Sequence, residues 1–96
     1  MTTPEKKVKD KVRKLLKERG VYNFMPATHG FGRSGVPDVI ACFNSQFLAI
    51  ECKAGKGTTT ALQDKELQLI NESGGKTFVI NENNIHELEE YLDERD

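Results

Sequence analysis

Three ionisable residues interrupt what is otherwise an apolar pair of segments. Asp38 follows Pro37 and precedes the run Val39-Ile40-Ala41-Cys42-Phe43, while Glu51 and Lys53 break the run from Gln46 to Ala54. Side chains of a strand alternate between its faces, so Leu48, Ile50, Cys52 and Ala54 share one face and Ala49, Glu51 and Lys53 share the other. Glu51 and Lys53 then stand about 7 Å apart along the strand. A carboxylate and an ammonium in an apolar setting cost free energy unless they are paired or bind something. Asn44-Ser45 between the two runs reads as a hairpin turn. A register centred between residues 44 and 45 sets Asp38 opposite Glu51.

Two carboxylates at one place suit a hard divalent cation. Magnesium takes one or two carboxylates and keeps several waters, and the backbone carbonyl of Cys52 offers a further oxygen. Such an ion polarises a phosphoryl oxygen and lowers the pKa of bound water. Lys53 is then placed to orient that water or to stabilise charge building on the phosphate. These are the parts needed to hydrolyse a phosphodiester. A bare Glu-x-Lys is equally a structural ion pair on an edge strand. Pro37-Asp38, thirteen residues upstream of Glu51 in a matching hairpin, tips the reading towards a site.

The elements that must position these residues follow from local patterns. Thr3-Pro4 pairs an N-cap residue with a proline at the first helical position. Val8, Val12, Leu15 and Leu16 recur at helical spacing and Gly20 supplies a stop, predicting a helix over 4–19. Residues 21–28 predict a short strand at a sheet edge, because Pro26 lacks a donor. A glycine-rich loop, His29 to Gly35, leads to the strand Pro37–Phe43 and its hairpin partner Gln46–Ala54. A helix over about 60–73 places Leu62, Leu67, Leu69 and Ile70 on its apolar positions and closes at Gly74-Gly75. Lys76–Ile80 is a short strand. Asn84 with Glu87 resembles a capping box for a last helix carrying Ile85, Leu88, Tyr91 and Leu92. The expected fold class is α/β, in the order α-β-β-β-α-β-α.

Ninety-six residues make one domain, 1–96. A chain this small buries a modest share of its surface and gains from a partner, most commonly a second copy. No apolar run approaches the length needed to span a bilayer, and Met1 to Lys7 has no apolar segment behind it, which argues against a secretory signal. Cys42 and Cys52, both in apolar runs, read as buried thiols in a reducing, cytoplasmic setting. The formal net charge of −1 conceals an asymmetry. Residues 1–19 carry eight basic and three acidic side chains, whereas 81–96 carry seven acids and only Arg95 as a base. The basic end is either a surface for a polyanion or a solvated helix face, and the acidic end either shields it or keeps it off nonspecific sites.

Taken together, Pro37-Asp38 and Glu51-Cys52-Lys53 resemble the PD-(D/E)xK nuclease core. Gly35-Val36-Pro37-Asp38, Glu51-Cys52-Lys53 and Gln63 are similar to the virus-type replication-repair nuclease (VRR-NUC) family, and Gly32-Arg33-Ser34-Gly35 also resembles archaeal Holliday junction resolvases. The resemblance spans nearly the whole chain. It implies a restriction-endonuclease-like core, a central mixed sheet flanked by helices, a Mg2+ or Mn2+ cofactor and endonucleolytic cleavage of branched DNA. Minimal single-domain members, typical of phages, are expected to resolve four-way junctions as homodimers. By the same resemblance Asp38 and Glu51 match metal ligands and Lys53 the catalytic lysine. Glu5 matches an acid on the first helix near the metal. Its inward phase, seven residues from Val12, agrees, although an acid in a first helical turn is also favoured by the macrodipole. Gln63 matches a glutamine of the active site and equally completes a capping box with Thr60.

Arg33 and Ser34 are candidate phosphate contacts, with Lys6, Lys7, Lys11, Lys14 and Lys56 as further DNA-binding residues. His29 is not counted as catalytic, and Phe31 is either a wedge at a junction or a loop anchor. Phe24, Met25, Phe31 and Phe47 are candidate interface residues. A flap or restriction-type nuclease, and a noncatalytic DNA-binding module of the same fold, remain open readings of the same residues.

Overall fold

The computed structural model describes residues 3–27 and 33–94. The elements run α1 (Pro4–Glu18), β1 (Tyr22–Phe24), β2 (Val39–Phe43), β3 (Gln46–Cys52), α2 (Ala61–Glu72), β4 (Lys76–Ile80) and α3 (Ile85–Glu94). The expected α-β-β-β-α-β-α order holds. One mixed sheet has strand order β1-β2-β3-β4. The first two pairings are antiparallel, and β3 pairs in parallel with β4 across the α2 connection.

α1 begins where the Thr3 side chain accepts the Lys6 backbone N–H at 3.1 Å, with Pro4 behind it. It ends at Gly20, whose φ of +67° turns the chain so that Val21 N–H reaches back to the Leu16 carbonyl. The β2–β3 turn has positive φ at both Asn44 and Ser45, the two-residue geometry that matches strand twist. It fixes the register Val39↔Ile50 through Phe43↔Gln46, centred where the sequence placed it.

One apolar cluster fills the face under α1 and α3. It joins Val8, Val12 and Leu16 of α1, Val39 and Ala41 of β2, Leu48, Ile50 and Cys52 of β3, Ile80 of β4, and Leu88 and Leu92 of α3. The other face meets α2 over Ala49 and Glu51. Both faces of β3 are therefore buried, from Leu48 to Cys52.

Several expectations need correcting. The strand predicted over 21–28 is only Tyr22–Phe24. β2 starts at Val39, not Pro37, because the Asp38 carboxylate takes the Cys52 N–H where the ladder would have continued. Cys42 is exposed, since it lies on the α2 side of the sheet but on β2, beyond the reach of that helix; only Cys52 is buried. Leu62 and Leu69 are exposed as well. The capping box at Asn84 is replaced by another device: its side-chain amide accepts from Asn81 N–H and donates to the Val79 carbonyl, tying the end of β4 to α3. His29 and Phe31 lie outside the described residues.

Candidate active site

Glu51 sits near the C-terminal end of the central strand and is 2% exposed. Burial there follows from topology, because β2 and β4 flank β3 and helices cover both its faces. Its Oε2 accepts the Gln63 side-chain amide at 3.0 Å and lies 3.6 Å from Lys53 Nζ. Its Oε1 is buried with no hydrogen-bond partner among the described residues. Asp38 lies just ahead of β2. Its Oδ2 accepts the Cys52 backbone N–H at 2.8 Å, and its Oδ1 stands 3.4 Å from Lys9 Nζ.

The Asp38 carboxylate stands close enough to Glu51 for its charge to act on it. Burial pushes the Glu51 carboxyl up to about 8, and the Asp38 charge pushes in the same direction against the opposing pull of Lys53. The Cys52 thiol, buried beside both acids, is driven up to about 12. It stays protonated, and neither a nucleophile nor a thiolate ligand is to be found there. Burial works against the charge of Lys9, but Asp38 and Glu5 outweigh it and hold its pKa above the ordinary value.

Two loops close the arrangement. Gly35 has φ +79°, and a Cβ there would fall 2.6 Å from the Leu62 backbone carbon and oxygen. The loop carrying Pro37-Asp38 can thus lie directly on the first turn of α2. That turn is fixed by a reciprocal capping box: Thr60 Oγ1 accepts Gln63 N–H at 3.2 Å, and Gln63 Oε1 accepts Thr60 N–H at 2.9 Å. The remaining Gln63 amide nitrogen is the donor to Glu51. One Gln63 side chain thus both completes the cap of α2 and holds Glu51. After β3, Gly55 N–H donates to Glu82 at 2.7 Å and holds the turn that carries Lys56.

The structure brings Asp38, Glu51, Lys53 and Gln63 together. It does not bring Glu5 into the same contact. Glu5 pairs with Lys9 at 3.8 Å, and Lys9 in turn with Asp38, so the acid on α1 is linked to Asp38 through a lysine. Lys9 was missed from the sequence, although its spacing of four residues from Glu5 placed it on the same flank of the helix. Among the described residues no three His, Cys, Asp or Glu side chains form a ready metal cluster. The oxygen donors that converge are two carboxylates. An unpartnered buried carboxylate oxygen beside a second carboxylate is a poor arrangement for the chain alone and a good one for a hard cation.

The candidate DNA contacts are dispersed. Arg33 is engaged in a two-pronged pair with Glu66 on α2, at 2.9 and 2.7 Å, and this guanidinium holds the Glu66 carboxyl below its usual range. Ser34 beside it is exposed. Lys6 pairs with Asp10. Lys7, Lys11, Lys14 and Lys56 are exposed. Arg19 at the end of α1 pairs with Asp93 of α3, so the basic and acidic ends of the chain do meet. No helix among the described residues is long and apolar enough to cross a membrane.

A family model described as archaeal Holliday junction resolvase (hjc) matches residues 5–87. No curated protein matches the chain.

Proposed function

The chain belongs to the archaeal Holliday junction resolvase family, a nuclease family of the PD-(D/E)xK type, and from that premise we propose that Asp38, Glu51 and Lys53 carry its hydrolysis of phosphodiester bonds in branched DNA. Nucleases of this family in general use a divalent cation. The finer reading is that Mg2+ or Mn2+ is held here by Asp38 and Glu51, with the Cys52 carbonyl as a further oxygen. The observation that carries it is Glu51: an almost fully buried carboxylate with one oxygen unpartnered among the described residues, close to a second carboxylate.

When bound, the cation polarises the phosphoryl oxygen and makes water a better nucleophile at neutral pH. The chain's own groups do the rest. Lys53 holds a proton at Nζ, where positive charge meets the charge that develops on the phosphate. Gln63 fixes the Glu51 carboxylate through its amide. Asp38 is oriented by the Cys52 N–H, and Glu5 acts on it through Lys9 as a positioning residue. Lys6, Lys7, Lys11, Lys14, Lys56 and Ser34 face the phosphate backbone, and Arg33 joins them by exchanging Glu66 for a phosphate. The Gly35-Val36-Pro37-Asp38 and Gln63 signature supports a VRR-NUC-like form of this core, a single domain over 1–96 working in the cytoplasm, of the kind found in phages.

Two cuts across a four-way junction call for two sites, and we infer a homodimer. What supports it is the open half of the sheet: on the face that carries α2, Tyr22 is 71%, Phe24 43% and Phe47 46% exposed beside that helix. Apolar surface grouped in this way marks an interaction face.

The test is cleavage of a linear duplex, a flap and a four-way junction side by side, with Mg2+, with Mn2+ and with EDTA. The junction should be cut preferentially and only with metal. Lys53→Ala should lower the rate about 10²-fold or more with junction binding kept. A variant that cuts like wild type removes Lys53 from the mechanism, and equal cutting of all three DNAs removes the junction preference.

A further inference from the structure

The positive charge of α1 is organised. Lys9, Arg13 and Lys17 recur every fourth residue, so they form one row along the helix with steps of about 6 Å. The row starts at the candidate active site, where Lys9 meets Asp38. Its middle member donates Nε to the Asn23 side chain on the edge strand β1 at 2.6 Å, and Asn23 is itself braced by donating to the Val21 carbonyl at 2.9 Å. The row ends at a groove of about 690 Å³ lined by Arg13, Lys14, Lys17 and the backbone turn Gly20 to Asn23.

Lys6, Lys9, Arg19, Arg33 and Lys53 each face a carboxylate, whereas Lys7, Lys11, Lys56 and Lys65 are exposed with no ion pair among the described residues. What sets the groove apart is that its unpaired cations line one concave surface. Among the described residues Arg13, Lys14 and Lys17 face none, and no acid lines the groove. Three cations crowd one concave surface without internal neutralisation, and the Arg13–Asn23 bond fixes one of them in place. An anion is the missing partner. A single anion would be served by the groove alone. A charged row that connects it to the Asp38 site fits a ligand whose negative charges repeat along its length.

We propose that this groove is a second nucleic-acid subsite, which holds the phosphate backbone of the strand that enters the Asp38–Glu51 site. Lys9 to Lys17 spans about 12 Å, roughly three to four base-pair steps of duplex. The row therefore follows one arm of the substrate away from the scissile bond and fixes the direction in which that arm leaves. This deepens the reading of the chain as a DNA nuclease and rests on it.

The test is junction binding by the full chain in EDTA, followed by fluorescence anisotropy over a range of salt. Each phosphate contact contributes about 0.9 to the slope of log affinity against log salt. Lys14→Gln combined with Lys17→Gln should therefore flatten the slope by about 2 per bound copy, while Lys65→Gln with Lys76→Gln, an equal change of charge outside the groove, should leave it unchanged. Shortening all four arms together should weaken wild-type binding, and the groove variant should lose that dependence. Equal slopes for the groove variant and wild type overturn the proposal, as does equal flattening by both variants. Cutting is scored separately with Mg2+. A wild-type chain that fails to cut while the groove variant still flattens the slope refutes the nuclease reading and upholds the groove.

Discussion

The Gln63 side chain donates to Glu51 at 3.0 Å while its carbonyl oxygen accepts the Thr60 N–H at 2.9 Å. A residue that caps the first turn of α2 is thus also the residue that aims the buried carboxylate. Packing of Gly35 against the same helical turn adds Asp38 to the unit. Orientation of both acids depends on one helix N-terminus and on the close approach that a glycine permits.

The two duties of Gln63 are separable. Gln63→Ala removes both and should cost about 1 kcal/mol of stability, seen as a lower Tm. Gln63→Glu keeps a side chain able to complete the capping box, so at acid pH, where Glu51 holds its proton, its Tm should stay near wild type. It also replaces the donor to Glu51 with a like charge. Both variants should cut junction DNA about 10- to 100-fold more slowly. Full activity in Gln63→Glu would show that the amide does not aim Glu51.

Metal-free stability should fall with pH. The Glu51 carboxyl is raised in the folded chain to about 8, above its unfolded value, so the folded state holds a proton that the unfolded state has lost. The contribution is fully present below the unfolded pKa of about 4.5 and is lost as pH rises through about 8. The slope is at most about 1.4 kcal/mol per pH unit. Thermal melts in EDTA from pH 5 to 9 measure it. Glu51→Gln should abolish the trend, and Mg2+ should oppose it by favouring the ionised carboxylate. A wild-type Tm that rises over this range contradicts the account.

Lys9 is the counter-charge of Asp38 before a cation arrives. Lys9→Met should therefore lower the Tm in EDTA and tighten Mn2+ binding roughly fivefold, the scale of a partly exposed ion pair. Calorimetric titration of the DNA-free chain with Mn2+ reads this directly. Weaker binding in Lys9→Met would mean that the lysine assists the cation and does not compete with it.

Phe24→Lys and Phe47→Lys place charge on the open sheet face. If that face joins two copies, wild type should sediment as a dimer and the double variant as a monomer. A dimer needs about 800 Å² buried per partner, which single exposed side chains cannot supply but a sheet face can. The monomer should nick junctions yet lose paired cuts. An unchanged sedimentation coefficient in the double variant moves the interface elsewhere.

Local patterns in the sequence settled the framework. Thr3-Pro4 and Gly20 bound α1, Asn44-Ser45 set the hairpin, and strand alternation put Glu51 and Lys53 on one side. Each of these depends on neighbours within a few residues, so one chain is enough to read it. The Asp38–Glu51 approach followed from the hairpin register by the same logic.

Longer-range choices were made by packing. α2 covers the Ala49 and Glu51 side of β3 and stops short of β2, which buries Glu51 and leaves Cys42 exposed. Alternation assigns both to that same face and cannot say where a helix will end over it. Lys9 stands between Glu5 and Asp38, and Arg33 finds Glu66, 33 residues away in the chain. Charged side chains are long and pair with whatever the fold brings near, so their partners are decided only when the helices dock. The sequence by itself determined which groups can do chemistry and which strands bear them; docking of α1 and α2 decided which of those groups meet, because burial and ion pairing depend on distances that no local pattern encodes.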